Sequence, residues 1–387
     1  MNKLNNFLQA VDTSLVSYAQ SLPEGSIGRM IGLDVDENDL EAWQDVIVIF
    51  GVPEDRNARN NSGTGKDLTQ VRKEFYRLFV GNWNTQVVDL GNIIVGETLA
   101  DTELVVKELI SFLLRLKHIP VVLGGSQALT YATYRSYDVL EKKVNLSVVD
   151  SRFDLGMLDK HIDSQSYLTQ IIMEKPTNLF NFTNIAYQTF LNSQEEINLL
   201  DTLLFDAYRL GSIKNEIELV EPILRETDIL SIDIGAVRQE DAPANNNTLI
   251  SGLDADTICK ITRYAGLSDY LSVLGIYEYN AEKDINHRTA QLIAQMIWYF
   301  VEGVNYRSYE FPSIDLENFK KYIVLIDEDT FQFYKSDKSG RWWMEINIKE
   351  NNKTKRRTLI PCTYQDYLSA NRQEIPERWY LNRRKLG

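Results

Sequence analysis

The segment Lys143 to Leu155, KVNLSVVDSRFDL, constrains this chain more than any other. Val144, Leu146, Val148 and Val149 form a β-branched, apolar run that stops abruptly at Asp150-Ser151-Arg152-Phe153-Asp154. A run of that length and composition predicts a buried strand of a parallel sheet, covered by helices on both faces. In open α/β sheets ligands bind beyond the carboxyl ends of the strands, which is where the acidic cluster stands. Asp150 and Asp154, four residues apart, can converge on one point. Arg152 between them does not suit a metal site, because a guanidinium has no lone pair to give.

The remainder of the chain supplies the neighbours such a strand needs. Residues 3–21 space Leu4, Phe7, Leu8, Val11, Leu15 and Tyr18 as one face of a helix, a packing or partner element in an N-terminal lead-in of about 40 residues. Asp45–Val52 is the first clear strand. It is followed by the polar loop 57–67 and a helix over 68–80. The GTGK within that loop does not make a phosphate loop. Asn60 stands where the first glycine belongs, and Asp67 where Ser or Thr would hold magnesium. Further strands are predicted at 86–90, 120–123, 207–210, 228–234 and 270–277. Helices are predicted at 101–118, 194–203, 217–226 and 254–265, with a last long one through Leu292 to Val301. Strands alternating with helices call for a mostly parallel, doubly wound sheet.

From about residue 311 the pattern changes. Tyr322–Asp327, Phe331–Lys335 and Arg341–Lys349 alternate apolar and polar residues between turns, as an antiparallel meander does. A basic, aromatic tail follows. The chain therefore divides into an α/β domain over 1–310 and a β-rich extension over 311–387. The net charge of −14 is split unevenly, about +4 in the extension against about −18 before it. Such an acidic total argues against nucleic-acid binding, which needs a basic footprint. Trp342, Trp343, Trp379 and Tyr380 among Arg356, Arg357 and Arg378 predict a surface for an acidic protein partner or a second copy of the chain, since aromatics and Arg favour interface cores; the alternative is that the segment folds back on the acidic core as an intramolecular clamp. Cys259 and Cys362 are the only cysteines, too few for a disulfide framework or a thiolate metal site. No apolar stretch approaches the length of a membrane span, and the expected location is cytoplasmic.

Three strand-end motifs stand in the order and spacing of one family. VLGGSQ at 122–127, VVDSRFD at 148–154 and LSIDIGAV at 230–237 resemble the G-G-x-H, D-x-H-x-D and S-x-D-x-D signatures of the ureohydrolases, which comprise arginase, agmatinase and formimidoylglutamase. Gly51-Val52-Pro53-Glu54-Asp55 with Asn61 and Gly63, Ser251-Gly252-Leu253, and IYEYN at 276–280 resemble further family signatures. AVRQEDAP at 236–243 is most similar to the formimidoylglutamase branch. The resemblance covers about residues 40–305 and implies an arginase-like three-layer α/β/α sandwich. It further implies a binuclear manganese site whose bridging hydroxide attacks a guanidino or formimino carbon, with Glu278 on the substrate side.

Carried over residue by residue, the implied metal site is degenerate. Asp150, Asp154 and Asp233 match, but Gln127 and Arg152 stand at the two histidine positions and Gly235 at the last aspartate. A two-metal mechanism needs both ions to activate water and stabilise the intermediate, so the expectation is a pseudoenzyme without a cofactor. The alternative is a C–N hydrolase of linear amidines using manganese or magnesium. A single hard cation on Asp150, Asp154, Asp233 and the Gln127 carbonyl is the residual metal reading. Two carboxylates about 4 Å apart repel by roughly 4 kcal/mol at an effective dielectric near 20. Arg152 is accordingly expected to fork between Asp150 and Asp233 in place of the lost ion. Of the three histidines, His118, His161 and His287, only His161 lies near the motif loops, and it joins Glu278 as a candidate for the old substrate pocket. Ser126 and Ser231 lack a His–carboxylate arrangement to activate them.

Overall fold

The computed structural model describes residues 7–156, 162–310, 316–350 and 354–386, the side chains of 348–350, 354–357 and 386 excepted. Apolar, β-branched runs become strands, and their registers place the site. Among the described residues nine strands form one sheet: β1 (Leu8–Gln9), β2 (Ile47–Val52), β3 (Val87–Ile93), β4 (Ile119–Gly124), β5 (Val144–Val149), β6 (Leu179–Tyr187), β7 (Asp206–Arg209), β8 (Ile229–Asp233) and β9 (Val273–Tyr277). Their order is β1-β3-β2-β4-β9-β8-β5-β6-β7. Every neighbouring pair is parallel except β1 with β3. The chain leaves β4, crosses to β5, and only later inserts β8 and β9 between them. That crossing is a topological switch point, and it sets the carboxyl ends of β4, β9, β8 and β5 side by side.

Helices cover both faces. Val71, Phe75, Ile258, Ile261, Leu292, Met296 and Phe300 pack on one face, from the helices Thr69–Tyr76, Ala255–Leu267 and Arg288–Asn305. Val106, Leu109, Ile110 and Leu113 of the helix Leu99–Arg115 pack on the other. That helix begins in a capping box between Thr98 and Asp101, which satisfies otherwise unpaired backbone N–H groups of its first turn.

Two readings of the amino-terminal half change. The helix expected over 3–21 is confined to Thr13–Ser21, where Asp12 caps it; Leu8 and Gln9 pair with Ile93 and Asn92 instead. Residues 1–6 lie outside the described residues. β6 carries two asparagines, Asn181 and Asn184, which disguise it as a loop, yet it pairs on both edges with β5 and β7. The GTGK loop is committed to structure: Gly65 N–H and Thr64 Oγ1 both donate to the Tyr279 carbonyl (2.8 and 3.0 Å), and Lys66 pairs with Asp55 at 2.8 Å.

The C-terminal extension is a separate antiparallel sheet in the order β10-β11-β12-β13, from β10 (Phe319–Ile326), β11 (Asp329–Ser336), β12 (Trp342–Glu350) and β13 (Thr354–Cys362). The basic tail adds a fourth strand to the three of the expected meander, then the helices Tyr364–Asn371 and Glu377–Leu386.

The partner-surface expectation for this region needs correcting. Trp342 and Trp343 are buried, 7% and 5% exposed, against their own chain. Arg225 of the α/β part donates to the carbonyls of Trp342 (2.9 Å) and Cys362 (3.0 Å), and its guanidinium lies 4.7 Å from the Trp343 ring centre. Arg341 pairs with Glu221 (3.1 Å), Arg378 donates to the Leu219 carbonyl (3.4 Å), and Lys385 pairs with Asp206. Trp379 packs on Phe331. Part of the extension's basic charge, Arg341 and Lys385, is thus paired with acids of the α/β part of the same chain. Tyr380 alone among the named aromatics stays exposed, at 50%. The side chains of Arg356 and Arg357 lie outside the described residues. No helix among the described residues is long and apolar enough to cross a membrane.

Candidate functional site

Beyond β4 the chain turns tightly through Gly124, Gly125 and Ser126. A Cβ on Gly125 would stand 2.0 Å from the Glu54 carbonyl oxygen, so only glycine lets the two segments touch. The turn buries Gln127 completely. Its backbone N–H donates to Glu278 Oε1 (2.9 Å) and its Nε2 reaches Ser231 Oγ (3.5 Å). Its Oε1 is buried with no hydrogen-bond partner among the described residues.

Asp150, at the end of β5, accepts from the Arg152 backbone N–H at 2.8 Å. Burial raises its pKa, against the lowering effects of that N–H, of Asp154 and of the Arg152 charge. Asp154 sits at φ +54°, in the left-handed region that a non-glycine residue rarely adopts, and its Oδ2 is buried without a partner. Burial, then the Asp150 charge beside it, pushes its pKa well above the usual carboxylate range. Asp233 closes β8 and shares this fate, from burial and then the charges of Asp150 and Glu278. Glu278, just past β9, also has a left-handed backbone, φ +67°. Asn61 Nδ2 donates to its Oε2 at 2.7 Å, and burial pushes its pKa up to about 7. The strand order thus gathers Gln127, Asp150, Asp154, Asp233 and Glu278 into one buried, carboxylate-rich site.

Arg152 does not take the position expected of it. Its Nη1 donates to the Leu191 carbonyl (3.2 Å), and among the described residues it makes no ion pair with Asp150, Asp154 or Asp233. Its charge acts on the three carboxylates from a distance, lowering the pKa of each. The physical reason is that its own N–H and the tight loop after Asp150 send the side chain across to the segment before the helix Gln194–Thr202. Because the loss is one carbonyl bond and a charge that acts on the carboxylates only from a distance, Arg152→Ala should destabilise the chain by only about 1 kcal/mol. Urea unfolding of the two proteins would show this, and a loss several times larger would restore the forked arrangement.

Gly235 is not merely a missing ligand. The Asp233 carboxylate folds back to accept from its N–H (2.7 Å) and from Asn245 Nδ2 (3.3 Å). A Cβ at Gly235 would stand 3.0 Å from both Asn245 Nδ2 and Asp233 Oδ1. Asn245 therefore occupies the side of Asp233 where a second carboxylate would be needed. Sequence reasoning passed over Asn245, although the run Asn245-Asn246-Asn247 was visible; Asn246 and Asn247 tie this loop to the carbonyls of Asn60 and Arg59 (both 3.0 Å). It also passed over Tyr167, whose buried phenol is held un-ionised by burial and by the charges of Asp154, Asp150 and Asp233.

The remaining candidates are structural. His118 is buried, bonded through its ring to Leu40 O (2.9 Å) and the Val46 N–H (3.3 Å); His287 is exposed. His161 lies outside the described residues. Ser126 Oγ donates to the Asn57 carbonyl and Ser231 Oγ is paired with Thr130 Oγ1.

The comparisons with known proteins agree with this architecture. The arginase family matches residues 45–302. The chain belongs to that family. The formimidoylglutamase of Streptococcus gordonii is 26% identical over 243 residues, 57% of this chain and 71% of the relative. That of Rhodococcus jostii is 24% identical over 233 residues, 55% and 71% of the two chains. Among solved structures, Trypanosoma cruzi formiminoglutamase with Mn2+ has a TM-score of 0.63 at 20% identity, covering 70% of this chain and 98% of its own. Bacillus subtilis formimidoylglutamase has 0.62 at 15%, covering 68% and 89%. The second sheet, β10 to β13, lies beyond the matched segment.

The binuclear manganese centre that the family resemblance implied does not fit these residues. Arg152 can only donate, Gly235 offers no side chain, and Asn245 holds the flank of Asp233. Oxygen donors for one hard cation are present in Asp150, Asp154, Asp233 and Gln127 Oε1. Among the described residues, however, no three acidic, His or Cys side chains converge closely enough to hold an ion.

Proposed function

We propose that this arginase-family chain does not carry out binuclear manganese hydrolysis and serves as a non-catalytic member of the family. The observation that carries this reading is the conversion of the site at Gln127, Arg152 and Gly235, with Asn245 hydrogen-bonded to Asp233 at 3.3 Å where the sixth ligand would stand. Loss of a single supporting group near a metal costs roughly 10–100-fold in affinity or activity, and three direct ligands are gone here. The scaffold role inferred from the extension has lost its main surface, because Trp342, Trp343 and Trp379 are engaged within the chain. A cytoplasmic location belongs to the same proposal and rests on the free, buried Cys259 and Cys362.

A second reading is a C–N hydrolase of a formimino or guanidino group. It is favoured by the retained Asp150, Asp154, Asp233 and Glu278, with Glu278 pushed up to about 7, and by relatives named formimidoylglutamase. One assay separates the two. The purified chain, loaded with manganese or magnesium and offered formimino and guanidino compounds, is expected to release neither formamide nor urea above background. Metal-dependent turnover that disappears in Asp150→Asn would establish the hydrolase instead.

A further inference from the structure

The appended sheet encloses space against the core. β13 and the helix Glu377–Leu386 come down over the amino-terminal ends of β5, β6 and β8, leaving a cavity of about 530 Å³ between the two parts. It lies at the opposite edge of the sheet from Asp150 and Glu278. The volume is in the range of ordinary small-molecule sites. Phe180, Ile223 and Leu381 give it apolar walls.

Its charges are of two kinds. Lys142, Lys143 and Lys385 are committed, to Asp228, to the Thr177 carbonyl (2.8 Å) and to Asp206. Glu226 and Arg378 are not. Glu226 is exposed at the cavity wall, and nothing among the described residues hydrogen-bonds to its carboxylate. Among the described residues Arg378 has only a 3.4 Å bond to the Leu219 carbonyl and a long 3.7 Å approach to Asp366. That leaves most of its five donors unused. The two groups feel each other's charge: Arg378 lowers the Glu226 pKa against the larger raising effect of burial. They nevertheless form no ion pair. A carboxylate and a guanidinium thus line one cavity of mixed polar and apolar walls without pairing with each other.

We propose that this cavity binds a small zwitterion, an α-amino acid with an apolar side chain, its carboxylate on Arg378 and its ammonium group on Glu226. The bidentate guanidinium suits a planar carboxylate, and the open Glu226 carboxylate suits a cationic amine. Phe180, Ile223 and Leu381 would take the side chain.

Calorimetric titration of the full chain with L-leucine and L-phenylalanine tests the assignment. Saturable binding is expected, and 3-phenylpropionate and phenethylamine, each lacking one charge, should bind at least about tenfold more weakly. Glu226→Ala, at a side chain no other residue uses, should cost L-phenylalanine about the same factor while leaving 3-phenylpropionate unaffected. Glu278→Gln, at the other edge of the sheet, should change neither. No binding at millimolar concentrations, equal affinity for the singly charged analogues, or indifference to Glu226→Ala would each overturn the proposal. Sensitivity to Glu278→Gln would move the ligand to the family site, a result that leaves the metal argument untouched.

Discussion

Arg225→Ala should destabilise this protein by roughly 3–5 kcal/mol, the scale seen when one member of a buried charged network is removed. Arg225 is only 6% exposed and joins the two sheets from beneath. It pairs with Glu221 at 2.9 Å, donates to the carbonyls of Trp342 and Cys362, and stacks on Trp343. Its loss would strand two backbone acceptors and remove one of the two cations on Glu221, Arg341 being the other. Arg225→Lys should recover only part of the loss, since an ammonium cannot span both carbonyls and lie flat on an indole. Urea midpoints would give the magnitude, and limited proteolysis beyond residue 310 would show whether the extension loosens first. An unchanged midpoint with an equally resistant extension would mean that the second sheet is held by something other than this clamp.

The second large effect is expected from rebuilding the family's ligand set. Gln127→His, Arg152→His and Gly235→Asp together should raise manganese affinity by at least about a hundredfold over the parent chain, given that even supporting groups near a metal are worth 10–100-fold. The substitutions restore two imidazoles and a carboxylate beside Asp150, Asp154 and Asp233, and they remove a positive charge. Gly235→Asp is the hardest of them, because its Cβ would press on Asn245 and Asp233 at 3.0 Å; adding Asn245→Ala should relieve that contact. Metal content after dialysis and titration calorimetry are the measurements. If the combined variant folds and binds manganese no better than the parent, the substituted ligands are not what separates this chain from the metal-binding members.

The two halves of the protein were unequally legible. β5 could be read directly, because a fully buried parallel strand must be a continuous apolar run, and its acidic terminus must then lie at the ligand edge of the sheet. β6 could not, since Asn181, Asn184 and the surrounding polar residues carry no period; it is a strand because β5 and β7 offer it hydrogen bonds on both edges. Gln127, Arg152 and Gly235 were visible as departures from a family pattern at fixed spacing, which is local information. The direction of the Arg152 side chain was not. The charge argument placed a guanidinium between Asp150 and Asp233, whereas the loop geometry delivers it to the Leu191 carbonyl.

The extension shows the same division. Alternation in residues 322–349 determined an antiparallel sheet, and the sign of its charge determined that it would seek an acidic surface. Sequence could not say whose surface. Only the tertiary structure shows Arg341 and Lys385 paired with Glu221 and Asp206 of this chain, and Trp342 and Trp343 facing inward. Composition and periodicity are properties of short stretches, whereas the pairing of Arg225 with Trp342 and Cys362 joins residues more than a hundred positions apart. Such a choice depends on which burial is lowest in free energy for the whole chain, and no short stretch contains it.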